Sequence, residues 1–185
     1  MYHSELASQL AAYFLLKEGG SMSALKLMKL MYLADREYLL KFGSLLTGGV
    51  YMSFPHGPAL SQTLNATLLG LENNWNEIIE DIGNYSVGLK NPNLSVIHLD
   101  CLSKASRQIM DAVYEKYGHL SASEISYLTQ TKEVCPEWQN PHAPYTPIKF
   151  SDVLLNHGKS QAESEAIVQS ISEQLAYENL ISDMV

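Results

Sequence analysis

Residues 24–42 read ALKLMKLMYLADREYLLKF. The run is apolar nearly all round, which predicts a helix buried at the centre of a helical domain. Ser23, just before it, is a residue type that caps helices. One narrow stripe interrupts the apolar surface. Lys26, Lys29 and Arg36 fall at spacings of three and seven and share a face. That stripe is either the solvent edge of a core helix or a surface that meets a partner. We take its three residues as candidate partner contacts.

Upstream, residues 4–18 place Leu6, Leu10, Tyr13 and Phe14 at helical spacing, and Gly19-Gly20 ends that helix. Downstream, Gly48-Gly49 leads into YMSFPHGPALSQTL, residues 51–64. Val50, Met52 and Phe54 alternate with Tyr51 and Ser53, as in a half-buried strand. Pro58 suits the first position of a helix and Gly57 its N-cap. The expected helix runs to about Leu71, with Leu60, Leu64, Leu68 and Leu71 inward. On this reading Pro55-His56-Gly57-Pro58 is a strand-to-helix hinge. The His56 ring would stand near the positive end of a helix dipole, which favours its neutral form.

Farther on, NYSVGLK and LSVIHL flank Asn91-Pro92-Asn93, a pattern that suggests an antiparallel hairpin across residues 84–99. Leu102, Ala105, Ile109, Val113 and Lys116 restore helical spacing up to Gly118. Ser121 with Glu124 forms a capping box for a short helix through about Thr131, and Ser160 with Glu163 forms another. Between them CPEWQNPHAPYTP, residues 135–147, is too rich in proline for a helix or a central strand. Ile148 to Leu155 suits a helix. The last helix carries Ser164, Val168, Ile171 and Leu175 on one face, with its glutamates largely elsewhere. The fold expected is mainly α within the α+β class, a compact helical domain around the 24–42 helix with a small antiparallel sheet or hairpin.

The length of 185 residues suits one domain, and 46 % apolar with 17 % charged residues is the composition of a packed one. The formal charge of −8 disfavours a nucleic-acid partner and suits a basic protein partner or simple solubility. No apolar run approaches a membrane span, and MYHSELASQL does not read as a signal peptide. With only Cys101 and Cys135, a reducing cytoplasmic location is the simplest expectation.

Reaction centres are hard to find. There is no glycine-rich phosphate loop, no Gly-x-Ser-x-Gly elbow and no His-Glu-x-x-His helix. Cys135, His142 and His157 could converge on a metal, but their spacing gives no support. Cys101 beside Asp100 reads as a thiol activated at a helix start or as a buried structural cysteine. We therefore expect no catalytic residue, no metal and no cofactor. A small enzyme with a site built from His56, Tyr51 and the Lys26 helix is the alternative.

Taken in order, several segments resemble the Panacea, or SocA-like, antitoxin domain family. They are SALKLMKLMYLADREYLL, YMSFPHGPALSQTL, the mid-chain hairpin region, LSASEISYLTQTKEVCPEW and PIKFSDVLL, together covering about residues 5–156. Thr129 is followed by Gln130 where the family commonly carries histidine, and Pro136-Glu137-Trp138 separates the family's proline and tryptophan. We expect the domain to span residues 1–158, with a C-terminal helical extension, 159–185, that lies beyond the matching region and packs on that domain. The resemblance implies an antitoxin that binds a protein toxin encoded by a neighbouring gene, often one that blocks translation. Related domains occur on phages and mobile elements, and one branch acts as a protease adaptor that delivers its toxin for degradation. With the first helix so near the start, no DNA-binding module and no direct DNA contact are expected. No membrane role is expected, and self-association is left open. Tyr51, His56 and Trp138 join Lys26, Lys29 and Arg36 as candidate contacts.

Overall fold

A computed structural model of the chain describes residues 2–69 and 73–182. Helix α1 (Ser4–Lys17) stops at Gly19 and Gly20, whose φ angles of 92° and 105° suit only glycine. Strand β1 (Ser21–Ser23) follows, then α2 (Ala24–Phe42), over the span its sequence predicts. Ser23 occupies the N-cap of α2, but its side chain makes no capping bond. The Ala24 N–H instead donates to the carbonyl of Tyr85 at 2.9 Å. At the other end Gly43 takes the left-handed conformation and donates to Leu39 O, a common helix stop.

The segment after α2 departs from expectation. Strand β2 (Tyr51–Phe54) turns at Pro55-His56 into a second strand, β3 (Gly57–Leu60), and not into a helix. Tyr51 faces Leu60 and Phe54 faces Gly57 in antiparallel register. Proline presets the first turn position, and Gly57 at φ 93° completes a reversal that an N-cap would not make. Pro58 is tolerated because β3 lies at the sheet edge. The helix starts three residues later as α3 (Ser61–Leu69), with the Ser61 N–H donating to Val50 O at 2.9 Å. The strand's inward side is also reversed. Tyr51 and Ser53 are buried, whereas Val50 is exposed and Met52 and Phe54 are half-buried. On α3 the inward residues are Thr63 and Ala66, and Leu68 is exposed. Leu71 lies outside the described residues.

The mid-chain hairpin sits earlier than expected. After α4 (Asn73–Ile78), strands β4 (Ile79–Gly83) and β5 (Ser86–Leu89) pair around Asn84-Tyr85. The Asn91-Pro92-Asn93 cluster is a surface turn, with the Asn93 N–H bonded to Asn91 Oδ1 at 2.9 Å. Val96–His98 forms a single 3-10 turn where a strand was expected. β5 pairs with β1 on its other side, so one sheet has the order β1-β5-β4. Helices α5 (Lys104–Tyr117) and α6 (Ala122–Leu128) follow. The Ser121–Glu124 capping box is present in both directions. A two-residue strand β6 (Thr146–Pro147) completes the second sheet, β3-β2-β6. Helix α7 (Phe150–Asn156) and the long α8 (Gln161–Ser182) close the chain. Ser160 and Glu163 cap α8 reciprocally.

The fold is thus mainly helical with two small antiparallel sheets. α2 lies at its centre and is packed by α1, α3, α5, α6, α7, β1 and β3. Its Leu27, Leu30, Tyr32 and Leu33 are wholly buried. α8 packs on α7 and sends Ile171 into the core. Among the described residues, no helix is long and apolar enough to cross a membrane.

Candidate functional site

The charged stripe of α2 is not a solvent edge. Lys26, Lys29 and Arg36 are only 7 %, 2 % and 2 % exposed. Neighbouring elements surround the helix, so each charge finds its partner inside the chain. Lys26 Nζ donates to Glu18 Oε1 at 2.5 Å and to the Gly118 carbonyl at 2.7 Å. Lys29 Nζ donates to the Pro58 carbonyl at 2.8 Å, which ties α2 to β3. Arg36 donates to the Val134 carbonyl, to Cys135 Sγ at 3.1 Å and to Glu137 Oε1 at 3.3 Å. It also pairs with Glu37 at 3.1 Å.

Two more polar residues of α2 join this row. Tyr32 donates its hydroxyl to Glu137 Oε1 at 2.7 Å. Asp35, wholly buried, accepts from Tyr51 Oη at 2.8 Å and from Thr47 through both N–H (2.8 Å) and Oγ1 (2.5 Å). Burial raises the Asp35 pKa, and the bonds from Thr47 and Tyr51 oppose the rise. The ammonium of Lys29 fares worse, with burial lowering its pKa to about 7. Space around it is tight. A Cβ on Gly57 would lie 2.7 Å from Thr129 Oγ1 and 3.1 Å from Lys29 Nζ. The row therefore clamps the β2–β3 hairpin and the 134–137 loop onto the central helix. Sequence reasoning missed Asp35, Thr47 and Glu137. The available signal was an acid and a base side by side, Asp35-Arg36, inside an otherwise apolar helix.

The outer end of the hairpin is different in character. His56 is exposed at the turn, while its carbonyl accepts from Ser126 Oγ at 3.0 Å. Trp138, half-buried, donates its indole N–H to the Phe54 carbonyl at 3.0 Å. Tyr145, 53 % exposed, sets its ring 5.9 Å from that of Phe54. Lys132 Nζ bonds the carbonyls of Pro136 and Trp138 and curls the loop around itself. Gln130, where the family commonly has histidine, donates to the Ser126 carbonyl at 2.9 Å. The hairpin end thus gathers Phe54, His56, Trp138 and Tyr145 at the surface. Tyr51 stands at the opposite end of β2 with its hydroxyl in the core, so it does not converge with His56.

The other candidates scatter. Cys135 is buried against Arg36, and burial pushes its thiol up to about 12, whereas His142 and His157 are exposed. Cys101 is exposed and precedes the Ser103 N-cap of α5, so it is neither a core cysteine nor at a helix start. Burial and the nearby Glu5 and Asp100 carboxylates raise its pKa, which is the reverse of activation. Among the described residues, only Glu5, Asp100 and Cys101 bring three ligand-type atoms within 4.8 Å of one another, all from exposed residues.

A family model described as antitoxin SocA-like, Panacea domain, matches residues 27–139. Neither a curated protein nor a solved structure matches the chain. The matched segment spans more than half the chain and runs from α2 to just past Trp138. It contains Lys29, Asp35, Arg36, both hairpins and Glu137, which are the parts that build the clamp and the surface above it. The chain belongs to the SocA-like, Panacea-domain antitoxin family.

Proposed function

We propose that this chain is the antitoxin of a toxin–antitoxin pair. It acts in the cytoplasm by binding directly to a protein toxin encoded by a neighbouring gene and occluding it. Family membership carries this reading. The net charge of −8 supports it by favouring a basic partner, such as a toxin that works on RNA or the translation machinery. We read residues 1–158 as the antitoxin domain and 159–185 as an extension of it. The chain is read as a binder and not a catalyst, because Tyr51 and His56 stand apart and the titratable groups of the clamp are buried.

Of the candidate contacts, His56 and Trp138 are the ones a partner can reach, and Phe54 and Tyr145 extend their surface. Tryptophan and tyrosine are among the residue types that most often anchor an interface. Lys29, Arg36 and Tyr51 support that surface from beneath and reach the partner only through the fold, while Lys26 is taken up by Glu18 and the Gly118 carbonyl. Purified His56→Ala and Trp138→Ala variants, checked for parent-like circular dichroism, test the assignment by titration against the neighbouring gene product. Trp138→Ala should bind about thirtyfold more weakly, the loss of one true anchor. His56→Ala should keep its fold and lose less affinity. Parent-like binding by both would move the contact surface elsewhere. Toxin abundance separates occlusion from delivery to a protease: occlusion leaves it unchanged, and an adaptor depletes it.

A further inference from the structure

The turn between β4 and β5 carries a residue whose side chain the fold does not use. Asn84 and Tyr85 both have positive φ, 52° and 56°, the pattern of a type I′ turn. Asparagine tolerates that region, and glycine is the usual second residue. A bulky aromatic there is a conformational outlier. The fold does use the backbone of Tyr85, whose carbonyl accepts the Ala24 N–H at 2.9 Å and so closes the start of α2. Glycine would supply the same carbonyl without strain. The Tyr85 side chain is 90 % exposed. Its presence is therefore unexplained by folding, and a strained, exposed aromatic points to use by something outside the chain.

The surroundings indicate what that is. Tyr85 lines a groove of about 410 Å³ with Thr67, Leu68, Asp81 and Val87. Leu68 is 57 % exposed. Among the described residues lining the groove, Asp81 alone is charged. An apolar floor beside one carboxylate suits an apolar side chain flanked by lysine or arginine. A second copy of this chain fits poorly, since each copy carries −8 and the one charge in the groove is itself acidic. We infer that Tyr85, with Leu68 and Asp81, anchors a second contact with the toxin, at a basic and apolar patch on the toxin's surface. This rests on the antitoxin reading above.

The test uses the full-length chain and the purified product of the neighbouring gene, with Tyr85→Gly and Asp81→Asn variants. Asparagine keeps the acceptor that holds the Gly83 N–H, 2.7 Å from Asp81 Oδ1. Tyr85→Gly should melt at or above the parent temperature, because the turn is relieved, and yet bind at least about tenfold more weakly. Asp81→Asn should slow association at low salt and match the parent at high salt. If the parent binds and Tyr85→Gly binds equally well, the anchor is wrong and the antitoxin reading stands. If the parent forms no complex, the antitoxin reading fails and the anchor falls with it. A Tyr85→Gly chain that melts lower than the parent would assign the ring a structural task and overturn the inference. So would a parent homodimer that Tyr85→Gly dissolves, because the groove would then belong to a second copy.

Discussion

Lys29 shows how much a single residue is asked to do. It is buried, bonds one carbonyl of the hairpin, and sits beneath the only residue type that leaves it room, Gly57. Its pKa of about 7 lies below the ordinary 10.5, with burial as the cause. Between those values the unfolded chain holds a proton at Lys29 that the folded chain lacks. Stability from this group therefore rises with pH through that window, and below it the full cost of the buried charge applies. Cys135 works in the opposite direction above its ordinary value of 9.0, since its folded pKa is about 12. The clean interval is about pH 7 to about pH 8.5, where Lys29 should contribute about 2 kcal/mol of rising stability. Lys29→Met should flatten that rise relative to the parent in urea unfolding at a series of pH values. A variant that gains stability as steeply as the parent would show that Lys29 is not titrating in this range.

At the scale of elements, α2 is the part on which the others depend. Leu30 and Met31 are 0 % and 2 % exposed, so Met31→Asp places an unpaired carboxylate in the core. The expected loss exceeds about 4 kcal/mol, enough to remove the cooperative melt of a domain this size. A folded, cooperatively melting Met31→Asp chain would show the core is misplaced. The span of α2 was legible because apolar residues cover it on every side. The direction of its charged stripe was not. Spacing puts Lys26, Lys29 and Arg36 on one face, but only the tertiary fold reveals carbonyls and a buried Glu137 waiting there. The β2–β3 hairpin was hidden for a related reason. Gly57-Pro58 signals a helix start and a hairpin end equally well, and the pairing of Tyr51 with Leu60 decides between them over a distance no local pattern covers. The β4–β5 turn was missed because Tyr85 stands where glycine would have advertised it. Both capping boxes were legible because their bonds are local.

For the whole molecule, the buried polar row holds the shape, and the surface above it is the one we propose meets a partner. His56 and Trp138 lie on that surface, although the sequence grouped them with Lys26, Lys29, Arg36 and Tyr51, which are buried. Helix α8 carries the pairs Gln161–Glu165 and Gln169–Glu173 on its exposed side, whereas Glu178, bonded by Gln174, is half-buried and faces His3. The central claim is direct neutralisation, and cell-free translation tests it without cellular proteases. The purified neighbouring gene product is added at a concentration that blocks synthesis of a reporter, and this chain is titrated in. The account predicts recovery that is complete near a fixed molar ratio, with a complex of the two proteins isolated from the same mixture. If translation is blocked and stays blocked at a large excess of the folded chain, with no complex formed, direct neutralisation is contradicted.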